Sequence, residues 1–412
     1  MARHALHRRP LRHRPEHWVP LLAVTVAAMV IGSAVIVIKE GPALAAQVNP
    51  SIPSLRWVPG APEEPIWPTV GQGAVAVTGV ASLAASPAQV PVPIGSITKI
   101  MTAVVVLNDY PLDLTALGPS IMITESDVAE WRSELTLNQS NVRIEVGEVL
   151  TERHLLDGLL VHSGNNFAHL LGRFDAGTEK AFVEKMNAQA KAWGLNQTHY
   201  ADPSGFDPAT TSTAADQVVL GRKILRYPLI AAIVKQQSVE IPTAGMQMSY
   251  TPLVGVDGVV GIKSGLTTES GGCDLLALDA MVDGHPIQVI AAVLGQRGPN
   301  RLMDSGMIAY ELARDRVAQF ATLSVATTGS SIGSFGWTGH EAALHVTSDA
   351  IIPAWPGGVV RAHLKLSHQR TTRTVGGTVV GWLILRAGPI TTRTPVATSQ
   401  TVQPPTLLER LI

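Results

Sequence analysis

The sequence predicts a mixed α/β (α+β) chain: an antiparallel sheet with a helical subdomain, then a small all-β domain at the C-terminal end. Three observations carry this. Apolar residues between 96 and 193 form buried or amphipathic helical stretches. From residue 259 the pattern becomes three consecutive strands joined by tight turns, which makes an antiparallel meander. From about residue 321 the composition turns to Thr, Val, Ser and Gly, with short apolar runs between turn residues. At 412 residues the chain has room for two domains, and at 46% hydrophobic it can bury their cores. Its 15% of charged residues is low for a soluble protein. A net charge of −1 gives no reason to expect nucleic acid as a partner. A single cysteine rules out an intrachain disulfide but says little about compartment.

Residues 1–18 form a basic tail, with Arg3, Arg8, Arg9, Arg12 and Arg14 against Glu16. Val19 to Ile38 carries no charge, and a helix of that length spans about 30 Å, the thickness of a hydrocarbon core. Trp18 stands where an interfacial aromatic would, and the arginines place the N-terminus inside the cell. The expectation is a single-pass anchor over 19–38, contacting the cell membrane through this N-terminal helix, with the rest extracytoplasmic. A cleaved signal peptide, cut near Ala43-Leu44-Ala45, is the alternative. Residues 39–71 are rich in proline and read as an extended spacer.

The main domain is expected over 72–320. Residues 73–84, small and β-branched, suggest a first strand or hairpin. Ser96 to Leu107 reads as a buried helix, although Val104, Val105 and Val106 suit a strand equally well. A second apolar helix, Leu150 to Val161, leads into Ser163. Phe182, Val183, Met186, Ala190 and Trp193 give residues 178–193 an amphipathic helix. Val259 to Thr267, Cys273 to Val282 and Pro286 to Leu294 are the meander, with Asp283-Gly284 as a hairpin turn. Residues 301–320 close the domain as a helix. The β-rich domain is expected over 321–395, and a loose tail over 396–412, because residues 388–405 are rich in Pro and Thr.

Three short strings carry chemistry: Ser96-Ile97-Thr98-Lys99, Ser163-Gly164-Asn165 and Lys263-Ser264-Gly265. Each alone is weak. In this order they match the three active-site elements of penicillin-recognising serine acyl enzymes. A serine hydroxyl needs a base to take its proton, and Lys99 is an i,i+3 neighbour of Ser96 on a helix. The amine serves only when neutral, so burial and a second cation such as Lys263 are needed to lower its pKa. The flanking residues sharpen the match. Gly95 to Ala103, His162 to Asn166, Asp202-Pro203-Ser204-Gly205-Phe206 and Gly261 to Thr267 together resemble the D-alanyl-D-alanine carboxypeptidases, the low-molecular-mass penicillin-binding proteins. The resemblance runs from about residue 72 to 298.

That resemblance implies a β-lactamase/transpeptidase-like fold and settles the helix from Ser96. It implies that Ser96 is the nucleophile, Lys99 the base, Ser163 the proton shuttle and Lys263 the catalytic cation. Asn165 holds the substrate amide, Ser264 and Thr267 offer hydroxyls to the substrate carboxylate, and Ser96 with Leu266, beside Gly265, supplies the oxyanion-hole N–H groups. The substrates implied are peptidoglycan stem peptides, with β-lactam antibiotics as covalent inhibitors and no cofactor. Rival readings are a D,D-endopeptidase, a β-lactamase and a silent wall-binding module. Two departures stand out: Ser264 replaces the usual threonine and Asn166 the usual aspartate. His162 and Cys273 read as packing residues, the histidines show no metal-ligand spacing, and Glu134 only mimics the β-lactamase glutamate element.

Overall fold

The computed structural model describes residue 29, residues 47–367 and residues 373–406. The basic tail and, apart from Met29, the apolar run at 19–38 lie outside the described residues, as does the stretch 407–412. Among the described residues no helix is long and apolar enough to cross a membrane.

A five-stranded antiparallel sheet forms the centre of the first domain. Its order is Val259–Thr267, Gly271–Val282, His285–Gln296, Gln72–Val77 and Ala84–Ala85. The meander and the first hairpin fall where the sequence places them. The middle strands are buried on both faces over residues 271–278 and 289–294, where Asp274 is the one charged residue, and open to solvent toward their shared turn. Helix Arg301–Ala318 covers one face, and helix Ala214–Ile224 packs on the other.

The helical subdomain is inserted between the first hairpin and the meander. A 3₁₀ turn, Gly95–Thr98, runs directly into helix Lys99–Asp109, whose residues from Lys99 to Leu107 are all buried. Burial on every side explains why this helix tolerates three consecutive valines: packing outweighs a propensity cost of a few tenths of a kcal/mol each. Helices Glu125–Thr136, Glu152–Leu160, Asn165–Ala176 and Glu179–Trp193 surround it. Thr124 and Asp127 form a reciprocal capping box at the start of the first of these.

The C-terminal domain is a seven-stranded sheet with a two-stranded ladder, Ala321–Ala326 and Ala350–Ala354, packed on it, and two strands of the larger sheet are a surprise. Gln47–Pro50 pairs with Ser331–Trp337 at one edge, and Leu55–Trp57 pairs with Val359–Leu366 at the other. The stretch expected as a spacer therefore caps both edges of the far domain. Extended proline-rich chain is already close to strand geometry, and proline is tolerated on an edge strand. Only residues 51–54 separate the two edge strands, so the sheet curls until its edges approach. The second correction concerns the expected loose tail. Ile390–Thr398 is an internal strand, laddered to Val379–Ala387 through the Gly388-Pro389 turn and to His340–Val346 on its other side. Its β-branched threonines suit a strand, and Pro395 falls just outside the second ladder, where no N–H is needed.

Candidate active site

The nucleophile turn is built by close backbone approach. Gly95 sits at φ +53°, where an L side chain is strained. A Cβ on Gly265 would lie 2.4 Å from the Ile94 carbonyl oxygen and 2.9 Å from the Ser96 nitrogen. A Cβ on Gly205 would lie 2.0 Å from the Gly95 oxygen. Strand Val259–Thr267 and the Ser204-Gly205 loop thus press on the turn from two sides, and only glycine fits at either contact. This brings the Leu266 backbone alongside that of Ser96, while the Leu266 side chain remains 44% exposed.

Lys99 is fully buried, and its ammonium nitrogen has three acceptors. They are Ser96 Oγ at 2.7 Å, Asn165 Oδ1 at 2.6 Å and the Ser204 carbonyl at 3.0 Å. Burial, and next the charge of Lys263, hold its pKa well below the usual lysine value. Asp202 and Glu134 oppose that shift. Asp202 also shapes the loop: its carboxylate accepts from the backbone N–H groups of Ser204, Gly205 and Phe206 at 3.1, 2.8 and 3.0 Å. That turn aims the Ser204 carbonyl at Lys99.

Asn165 opens helix Asn165–Ala176, and its amide is oriented from both ends. Oδ1 faces Lys99, while Nδ2 donates to Gln139 Oε1 at 2.5 Å. Ser163, two residues earlier, is buried at φ +67°, an uncommon conformation for a non-glycine residue and a sign of local strain. Asn166 explains itself. Its Oδ1 accepts from Val142 N at 3.1 Å and its Nδ2 donates to Val142 O at 2.8 Å. A carboxylate could make only the first of these bonds, so here the amide does the bridging.

Lys263 is fully buried on the sheet edge and donates to the Ser264 carbonyl at 3.1 Å. Burial pulls its pKa down to about 7, with Asp274 opposing. Asp274 lies on the neighbouring strand, fully buried, and neither carboxylate oxygen has a hydrogen-bond partner among the described residues. Its pKa is driven well up by burial and drawn back by Lys263. Among the described residues no hydrogen bond joins Lys263 to Ser163. The two expected carboxylate-binding hydroxyls are both engaged. Ser264 Oγ donates to the Tyr250 carbonyl at 3.1 Å. Thr267 Oγ1 donates to Ser270 Oγ at 3.1 Å and accepts from Ser270 N at 2.9 Å, so it closes a turn.

Several residues matter here that the motifs do not reveal. Gln139 lies in a loop far from Asn165 in sequence, and nothing local announces their bond. Glu134, set aside on sequence grounds as a mimic, is buried; desolvation raises its pKa to about 7 and its charge reaches Lys99. His162 donates through Nδ1 to the Met248 carbonyl, 3.0 Å away, and its ring packs 4.7 Å from that of Tyr250. Burial pushes the Cys273 thiol up to about 12, which makes it a poor nucleophile. Glu130, His169 and Glu179 bring ligand atoms within 4.8 Å of one another. Arg173 already bonds Glu130 and Glu179 there, at 2.8 and 2.7 Å.

A serine on a 3₁₀ turn, a buried lysine one turn on, and a second buried lysine on the facing strand define a class of acyl-transfer site. The D-alanyl-D-alanine carboxypeptidase model of peptidase family S11 matches residues 76–298, more than half of the chain, and the chain belongs to that family. The D-alanyl-D-alanine carboxypeptidase DacB2 of Mycobacterium tuberculosis is 34% identical over 182 residues, 42% of this chain and 58% of that protein. A D-alanyl-D-alanine endopeptidase of Pseudomonas aeruginosa is 38% identical over 140 residues, 34% of this chain and 42% of that protein. The chain thus spans about half the length of the curated relatives it matches. Penicillin binding protein 5 of Haemophilus influenzae shares the fold, with a TM-score of 0.56 at 20% identity, over 83% of this chain and all of that one.

Proposed function

We propose that this chain is a serine-type D-alanyl-D-alanine carboxypeptidase that removes the terminal D-Ala from peptidoglycan stem pentapeptides through an acyl-enzyme. The observation that carries it is the Lys99 ammonium nitrogen, buried and 2.7 Å from Ser96 Oγ. In its neutral form, which burial and the Lys263 charge favour, the Lys99 amine takes the Ser96 proton as Oγ attacks the penultimate carbonyl. The developing oxyanion lies against the Ser96 and Leu266 N–H groups, which the absence of side chains at Gly265 and Gly205 allows to come close. Ser163 returns the proton to the leaving amine. Asn165 holds the substrate amide with the Nδ2 hydrogen that Gln139 leaves free. Lys263 draws the terminal carboxylate, and Ser264 turns its hydroxyl from Tyr250 toward it. Water then hydrolyses the acyl-enzyme. β-Lactams acylate the same serine and leave slowly.

The apolar run at 19–38 is proposed as an anchor in the cell membrane, with the catalytic domain on the extracytoplasmic side, where peptidoglycan lies. The test of the function is release of free D-Ala from a stem pentapeptide by the purified chain, lost in Ser96→Ala. Release that survives in Ser96→Ala overturns the reading. A second reading, cleavage of D-Ala crosslinks, is favoured by the relative named an endopeptidase. Mass analysis of crosslinked muropeptides before and after digestion separates the two.

A further inference from the structure

Charge is divided unequally along the chain. Residues 47–320 carry 18 Lys and Arg against 27 Asp and Glu, whereas residues 321–406 carry six against two, Glu341 and Asp349. In the C-terminal sheet four of those cations share one face. Directly opposed residues of an antiparallel pair project to the same side. Arg361 opposes Arg386 and Lys365 opposes Trp382. Arg393 opposes Ile384, which lies between Trp382 and Arg386 on that face. Trp57 joins them from the edge strand, opposite Val359. The four cations are exposed, and the two tryptophans are 73% and 40% exposed. None of these cations makes an ion pair among the described residues. Two arginines set directly opposite each other destabilise a sheet, and among the described residues no carboxylate pairs with either.

We propose that this face docks on an anionic lipid surface. Arginine and lysine match the lipid phosphates, and exposed tryptophan is the side chain that settles at the interface between headgroup and acyl chain. Position supports the same occupant. The strand Gln47–Pro50 belongs to this sheet and begins just past Ile38, where the uncharged run ends. An extended chain reaches at most ~3.3–3.6 Å per residue, so the sheet lies within about 30 Å of the end of that run. This step rests on the anchor proposed above; the charge pattern does not depend on it. Docking through the β domain would hold the catalytic cleft at a fixed height over the bilayer.

The test uses the full chain reconstituted into vesicles of phosphatidylcholine alone or with about 30 mol% phosphatidylglycerol. A fluorophore is placed at Thr391→Cys, which opposes Arg386 on the same face; the native thiol of Cys273 is buried and does not compete. Lipids carrying a nitroxide at the headgroup report proximity by quenching. Quenching is expected in the anionic vesicles, weak in the neutral ones and reversed by high salt. The double variant Arg361→Gln, Arg386→Gln should lower the docked-to-free ratio about fivefold per charge removed. The variant Arg386→Lys, which keeps the charge, should retain the quenching and so controls for folding. Equal quenching in both vesicles, or undiminished quenching in the double variant, overturns the proposal. A probe that responds to a soluble polyglycerol phosphate but not to anionic vesicles overturns it in favour of a wall polymer. Covalent labelling by fluorescent penicillin reads the acylation chemistry separately, so failure of that chemistry leaves the lipid result standing. A chain recovered without its anchor is read by flotation with the same vesicles, where failure to float with the anionic ones overturns the proposal.

Discussion

The cleft around Ser96 and the outer face of the C-terminal sheet both gather cations that make no direct ion pair among the described residues, yet they use them in opposite ways. In the cleft the cations are lysines, fully buried, with their ammonium groups fixed on serine, amide and carbonyl oxygens. On the sheet they are mostly arginines, exposed and unpaired among the described residues. Burial makes a lysine into a base by penalising its charge. Arginine keeps its charge in any protein environment, which suits it to an anionic surface and disqualifies it as a base. The side-chain type follows from whether the site needs a proton acceptor or a permanent charge.

The largest test of that contrast exchanges the two types. Lys99→Arg should lower the rate of acylation by fluorescent penicillin about 10³- to 10⁴-fold, because guanidinium cannot accept the Ser96 proton. A rate within about tenfold of the parent would break the contrast at its centre. Next comes Gly265→Ala, where the new methyl meets the Ile94 oxygen at 2.4 Å. The strand must retreat, and acylation should fall on the order of 100-fold while Lys99 stays intact. Unchanged labelling in that variant would show that the close approach is not needed.

The pH dependence sharpens the contrast further. Acylation should gain a limb that rises with pH at an apparent pKa below 10.5, since Lys99 must be neutral and burial lowers its pKa. Capture of a free carboxylate should weaken as Lys263 discharges above about 7, whereas an amidated substrate should not show this limb. Stability carries the matching sign. The Lys263 pKa is lower folded than unfolded, so between about 7 and 10.5 the unfolded chain binds more protons. That lysine therefore makes stability rise with pH across this window, and urea titrations at several pH values on Lys263→Met against the parent measure it. The smallest effect is expected on the outer face, where Arg361→Lys keeps the charge and should alter neither penicillin labelling nor lipid proximity by more than about twofold.

The sequence announced the chemistry more fully than the architecture around it. Ser96, Lys99, Asn165 and Lys263 are legible because they stand in short local strings, and the structure brings the first two strings together at Lys99, which bonds both Ser96 and Asn165. The meander is legible for a similar reason, since its period and turns are local. Gln139, the Ser204 carbonyl and the pair Lys263 with Asp274 are not, because each depends on which distant backbone is folded against which. Thr267 is a different case. Its position in the motif suggests a substrate contact, while its hydrogen bonds to Ser270, which close the turn, have no signature in the motif. Gln47–Pro50 and Leu55–Trp57 escaped because a proline-rich stretch has no strand period, and only the open edges of a remote sheet make strands of it.

Those two edge strands also impose an order in time. Gln47 pairs with Gly336 and Trp57 with Val359, so both must wait while the whole intervening domain is synthesised, Gln47 until the early strands of the C-terminal one and Trp57 until its later ones. Until then they are unpaired chain, exposed to proteases and to other edges. Closing so long a loop is slow, but its entropic cost grows only with the logarithm of length, and a catalytic domain that has already folded brings its two ends near each other. The last two strands, Val379–Ala387 and Ile390–Thr398, then join the halves that hold those edges: they sit between His340–Val346 and Val359–Leu366 in the sheet order, so a product cut short before residue 379 keeps the partners of both edge strands but not the strands that link them into one sheet.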